Sequence, residues 1–106
     1  MSKKEPMIVI DYTEESSFSL DELCEISHVT PNFIIDLITY EIICPEGATP
    51  NEWLFDMRQL QRIQTVLRLQ RDLEINLAGA AVVLDLLDEM EQLRAKAELL
   101  ERYILK

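Results

Sequence analysis

Glycine is nearly absent from this sequence, with Gly47 and Gly79 the only two among 106 residues. Two glycines are too few for a phosphate or dinucleotide cradle, which needs several Cβ-free positions in close succession. One histidine, His28, and two cysteines, Cys24 and Cys44, with no CxxC pair and no HExxH, leave no ligand set of zinc-site spacing. The cysteines read as reduced, packed thiols, and His28 as a helix-end or loop residue. No cofactor or metal is expected. No nucleophile–base constellation occurs, and acidic pairs such as Asp21-Glu22 and Asp88-Glu89 read as solvated helix faces, so the chain is not expected to be an enzyme. No apolar run reaches the ~18 residues of a membrane span. The charged start also lacks a signal-peptide apolar core. The expectation is a cytoplasmic protein with no membrane partner.

Positive charge is the other scarcity. Residues 1–57 hold two basic residues, Lys3 and Lys4, against twelve acidic ones, so the entire net charge of −10 falls there; residues 58–106 balance eight against eight. A region so charged repels phosphates and attracts basic surfaces. At 48% apolar residues the chain is ordinary for a globular protein. Its length fits one compact unit, read as an acidic head over residues 1–57 and a helical region over 58–106.

The local signals predict a mainly helical chain. Residues 7–12, Met-Ile-Val-Ile-Asp-Tyr, read as a short strand. Ser16 to Ser19 offers caps, and Ser19 with Glu22 makes a capping-box pattern ahead of a helix whose apolar face is Leu20, Leu23, Cys24 and Ile26. Thr30-Pro31 starts a second helix running to about Glu41, with Phe33, Ile34, Leu37, Ile38 and Tyr40 or Glu41 at helical spacing. Two short helices around a tight turn form a helix-turn-helix. The stretch from Cys44 to Glu52, with two prolines and a glycine, marks a turn; Ile42-Ile43 and Trp53-Leu54-Phe55 are the expected arms of a small β-hairpin wing. Asp56 caps a third helix to about Asp72, with Met57, Leu60, Ile63, Leu67 and Gln70 on one stripe and Val66 and Leu69 beside it. After a break at 74–78, with Asn76 as cap, a long last helix runs to about Ile104.

That last helix carries a heptad seam. Gly79, Val83, Leu86, Met90, Leu93, Ala97, Leu100 and Ile104 alternate at spacings of four and three. Its first half is apolar on a second side, through Ala80, Ala81, Leu84 and Leu87, and is expected to be buried. The second half is expected to project with only the seam apolar. Two readings are open: the helix folds back on its neighbour, or the seam pairs with a second copy through Val83, Leu86, Met90, Leu93, Ala97, Leu100 and Ile104. The second is preferred, since a projecting apolar seam needs a partner.

A helix-turn-helix invites a DNA-binding reading. The second helix, Pro31-Asn32-Phe33-Ile34-Ile35-Asp36-Leu37-Ile38-Thr39-Tyr40-Glu41, contains no Arg or Lys, and the wing adds only Glu46 and Glu52. Phosphate neutralisation needs cations, so direct nucleic-acid binding is disfavoured. The surface suits a basic protein instead, with Asp21, Glu22, Glu25, Asp36 and Glu41 as candidate contacts. Trp53 is either an anchor for that partner or a core residue beneath the wing.

The order of Ser19-Leu20-Asp21-Glu22-Leu23-Cys24, Val29-Thr30-Pro31 and Tyr40-Glu41-Ile42-Ile43-Cys44-Pro45 resembles the winged-helix head of MerR-type regulators. It departs from them at Ile35, Asp36, Leu37 and Ile38, where such recognition helices usually carry arginines. Together with the stretch from Arg62 to Ala81 and on through Leu84-Asp85-Leu86-Leu87-Asp88-Glu89-Met90, the chain is similar to the CbpM family of chaperone modulators, a MerR-like offshoot. The resemblance implies a MerR-like winged helix-turn-helix head followed by two helices, the last coiled-coil-like. It further implies binding to the J-domain of a CbpA/DnaJ-like co-chaperone, with inhibition of its co-chaperone and DNA-binding activities. The alternative is a MerR-like DNA-binding transcriptional regulator.

Overall fold

The computed structural model describes residues 15–104; the strand expected at residues 7–12 lies outside them. Among the described residues, two strands and four α-helices follow one another as β1 (Ser17–Phe18), α1 (Leu20–Ser27), α2 (Pro31–Thr39), β2 (Phe55–Asp56), α3 (Met57–Leu73) and α4 (Leu77–Ile104), with a short 3-10 turn at Pro50–Glu52.

Every helix start is written locally. The Ser19 hydroxyl accepts from Glu22 N at 3.2 Å while Glu22 Oε1 accepts from Ser19 N at 2.9 Å, a complete capping box for α1. Thr30 Oγ1 accepts from Phe33 N at 3.2 Å, with Pro31 at the first position of α2, where its missing N–H costs nothing. Asp56 Oδ1 accepts from Gln59 N at 2.9 Å and Asn76 Oδ1 from Gly79 N at 2.8 Å, starting α3 and α4. Such caps are worth about 1 kcal/mol each. The exits of α1 and α3 are left-handed residues, His28 and Glu74 (φ 59° and 57°), whose backbone N–H groups close on the last turns.

One core joins these elements. Leu23 of α1, Ile34 and Leu37 of α2, Leu60, Ile63 and Val66 of α3, and Ala80 and Leu84 of α4 are buried together with Phe18, Ile42, Ile43 and Phe55. Each fully buried large side chain contributes about 1.5–3 kcal/mol of transfer free energy. The apolar faces expected for α1 and α3 are the ones that pack inward, Leu20, Cys24, Ile26, Met57, Leu67 and Leu69 being partly buried against the core.

Three expectations are corrected. The second helix ends at Thr39 rather than Glu41, because Tyr40 closes back on Asp36 and Ile38 and Glu41 is left-handed at φ 61°. Tyr40, expected on the apolar side, is 47% exposed. Ile42-Ile43 is not an arm of the wing: both side chains are about 2% exposed in the core. The wing's first arm is Glu46, which exchanges two backbone hydrogen bonds with Leu54 at 3.1 and 2.9 Å, while Phe55–Asp56 pairs with Ser17–Phe18 in an antiparallel two-stranded sheet. Gly47, at φ 124°, makes the sharp return between these partners; a Cβ there would lie 2.5 Å from the Glu52 carbonyl oxygen.

The last helix changes character along its length. Ala80 and Leu84 pack on the core, Ala81 and Val83 are half-buried, and Leu87, expected on the buried side, is 45% exposed. From residue 89 to 104 every side chain is exposed. At ~1.5 Å per residue, that stretch extends roughly 24 Å past the packed part.

Candidate protein-binding surface

The charged residues divide by element. The first Lys or Arg among the described residues is Arg58, so β1, α1, α2, the wing and β2 carry no cation. Five ion pairs occur among the described residues, and all lie on α3 and α4: Arg58 and Arg62 with Asp88, Arg71 with Asp72, and Arg94 with Glu91 and Glu98. Of the candidate contacts, Asp21, Glu22, Glu25, Asp36 and Glu41 are all exposed and enter none of these pairs. They fall into two sets. Asp21, Glu22 and Glu25 share α1, where Glu22 is partly used as the cap; Asp36 lies on α2 and Glu41 just beyond its end.

Trp53 stands apart from both sets. It is half-buried against the core, its ring edge-on to Phe55 at 6.2 Å between centroids and 84° between planes. Much of its surface therefore packs internally.

Around Asp36, helix α2 presents neighbours that the sequence reading did not single out as contacts. Ile34 and Leu37 are fully buried, which turns Asn32, Ile35, Asp36, Thr39 and Tyr40 outward at three- and four-residue spacing. Ile35 is 42% and Tyr40 47% exposed, flanking Asp36. The periodicity that located the buried face contains this outward face as its complement, so the signal was in the sequence.

The projecting part of α4 exposes Leu86, Met90, Leu93, Leu100 and Ile104, together with Leu99 and Tyr103; Ala97 is exposed too, and Val83 is half-buried. Three of its charges pair along the helix. Arg94 donates to Glu91 Oε2 at 2.6 Å and to Glu98 Oε2 at 2.8 Å, and the Glu91 hydrogen bond, followed by the two negative charges, raises its pKa.

Arg62 ties head to helices. Its Nε donates to the Ile42 carbonyl at 2.6 Å and its Nη1 to Asp88 Oδ2 at 2.9 Å, with a side chain only 15% exposed. Gln59 Oε1 accepts from Cys44 N at 3.0 Å alongside. Burial, and then the charge of Asp21, pushes the Cys24 thiol above its ordinary range. Among the described residues, no group of three or more His, Cys, Asp or Glu side chains is placed to hold a metal ion. No helix of the described residues is long and apolar enough to cross a membrane.

A capped helix-turn-helix, a wing closed at Glu46 and Leu54, and a helix entered directly from the wing define a winged-helix protein of the MerR type. The family model described as MerR HTH family regulatory protein matches residues 18–102. The chain is 40% identical over 88 residues to the chaperone modulatory protein CbpM of Coxiella burnetii (strain Dugway 5J108-111), covering 83% of each chain. It is 34% identical over 80 residues to the protein of the same name from Pseudomonas entomophila (strain L48), and 32% identical over 80 residues to that of Pseudomonas putida (strain W619), covering 76% of this chain and 79% of the relative in each case. The chain belongs to the CbpM family, within the MerR helix-turn-helix class.

Proposed function

We propose that the chain is a chaperone modulator that binds the J-domain of a CbpA/DnaJ-like co-chaperone and inhibits its co-chaperone and DNA-binding activities. The observation that carries this reading, beside the name of the relatives, is a winged-helix head with exposed carboxylates and no Lys or Arg from residue 15 to Asp56. A helix-turn-helix that met DNA would need Lys or Arg on α2 or the wing to neutralise phosphates. This one would set Asp36, Glu41, Glu46 and Glu52 against them. The same carboxylates steer and orient a basic surface such as the cationic helix of a J-domain.

Self-association belongs to the same proposal. The seam from Val83 through Leu86, Met90, Leu93, Ala97 and Leu100 to Ile104 matches what a second copy of the helix would cover, and its exposure on the projecting half supports a homodimer.

The test is calorimetric titration of the full chain with a purified J-domain at two salt concentrations, with a DNA duplex as control. Binding that weakens several-fold at high salt, with no binding of the duplex, is the expected result. Binding of DNA without binding of the J-domain would replace this reading with that of a transcriptional regulator.

A further inference from the structure

The candidate carboxylates on the head's two helices form two acidic faces, and they differ in kind. On α1, Asp21, Glu22 and Glu25 are exposed, but no large apolar side chain of that helix is. On α2, Asp36 stands between Ile35 and Tyr40, both close to half exposed, and Glu41 follows at the helix exit. Carboxylates on a wet surface steer encounter and set salt dependence, whereas affinity comes from apolar and aromatic anchors that are desolvated on binding. The α2 face has both.

We infer that the outward face of α2, centred on Ile35, Asp36 and Tyr40, is the docking surface, and that its occupant is a basic amphipathic helix of the partner. The inference rests on the J-domain reading and deepens it by naming the face. The occupant follows from the chemistry offered. The Thr39 hydroxyl donates its hydrogen to the Ile35 carbonyl at 2.9 Å, so it is not offered outward as a donor. The charged groups there are acceptors only, and among the described residues Asp36 and Glu41 have no ion-pair partner. A lysine or arginine of the partner lays its aliphatic stem on Ile35, brings its cation to Asp36 or Glu41, and presents a cation to the Tyr40 ring. Nucleic acid is repelled by the same groups. The helix that a DNA-binding relative places in the major groove here carries acceptors and apolar surface in place of cations. The α1 carboxylates then act as a steering field rather than as contacts.

Three full-length variants test this against one purified J-domain, with association and dissociation rates measured by surface plasmon resonance at two salt concentrations. Ile35→Arg and Tyr40→Ala are expected to lower affinity about 10-fold or more, chiefly through faster dissociation. The double reversal Asp21→Lys, Glu25→Lys is expected to lower the association rate several-fold at low salt and little at high salt, with dissociation unchanged. Circular dichroism melts of Ile35→Arg and Tyr40→Ala monitor folding separately. If the wild type binds and both α2 variants bind as it does, the face is wrong while the J-domain reading stands. If the α2 variants change only the protein's own oligomeric mass, the occupant is a second copy and the inference is overturned. A wild type that binds no J-domain at either salt overturns the reading and the inference together.

Discussion

Replacing Arg62 by methionine keeps an apolar stem of similar length and removes the guanidinium, isolating what its hydrogen bonds contribute. In the folded protein the Nε reaches the carbonyl of Ile42, a residue 2% exposed, and Nη1 reaches Asp88 on α4. Without the guanidinium the Ile42 carbonyl loses a charge-assisted bond in a place where water replaces it poorly, a loss of about 1.5–3 kcal/mol. The Asp88 partnership adds less, because the Asp88 side chain is 37% exposed and Arg58 also approaches it at 3.5 Å; a solvent-screened contribution of about 0.5 kcal/mol is appropriate. Arg62→Met should therefore destabilise the protein by about 2–3 kcal/mol in urea unfolding and lower Tm by roughly 10 °C or more. Asp88→Ala should cost under ~1 kcal/mol by the same reasoning. A double-mutant cycle between the two positions should return a coupling of about 0.5–1 kcal/mol. A loss below ~1 kcal/mol in Arg62→Met would refute the argument, since it would mean that the Ile42 carbonyl is satisfied equally well without Arg62.

Three further expectations follow from other parts of the molecule. If α4 pairs with a second copy as proposed, Leu93→Glu in its exposed seam should shift the protein toward monomer in sedimentation experiments while helicity is retained, because the residue is 63% exposed; an unchanged mass would overturn pairing through that seam. Gly47→Ala should destabilise by about 1–3 kcal/mol, since alanine at a φ of 124° is strained and its Cβ would strike the Glu52 carbonyl oxygen; an unaltered urea midpoint would show that the wing is free to refold around it. Cys24 should be alkylated more slowly than the exposed Cys44: desolvation, and then the negative charge of Asp21, raises its pKa and so lowers its thiolate fraction at a given pH, with the rate still climbing above pH 9. Equal labelling rates at pH 8 would contradict that.

Much of the architecture was legible without coordinates, and for one reason. The capping box at Ser19 and Glu22, Thr30-Pro31, Asp56 and Asn76 each act over three residues, so the sequence states them outright. The same holds for the buried stripe of α3 and for the heptad of α4, which are periodicities of a single helix. Net charge is additive and needs no fold, and for that reason an acidic head with no Lys or Arg beyond Lys3 and Lys4 could be read directly.

The candidate site was half legible. Asp36 and Glu41 stood out by charge, whereas Tyr40 was grouped with apolar neighbours and Ile35 was noted only as a position lacking an arginine; the burial of Ile34 and Leu37 shows that Ile35 and Tyr40 turn outward on α2. Tertiary structure alone decided the rest, because those contacts join residues far apart in the chain. Ser17–Phe18 became a strand only by pairing with Phe55–Asp56, and Ile42-Ile43, which had the composition of a hairpin arm, was drawn into the core. Arg62 reaches Ile42 and Asp88 across separations of 20 and 26 residues. The point on α4 where burial stops depends on how much of α3 lies beneath it, so the heptad could show which face of that helix is apolar but not how much of it is left without a partner.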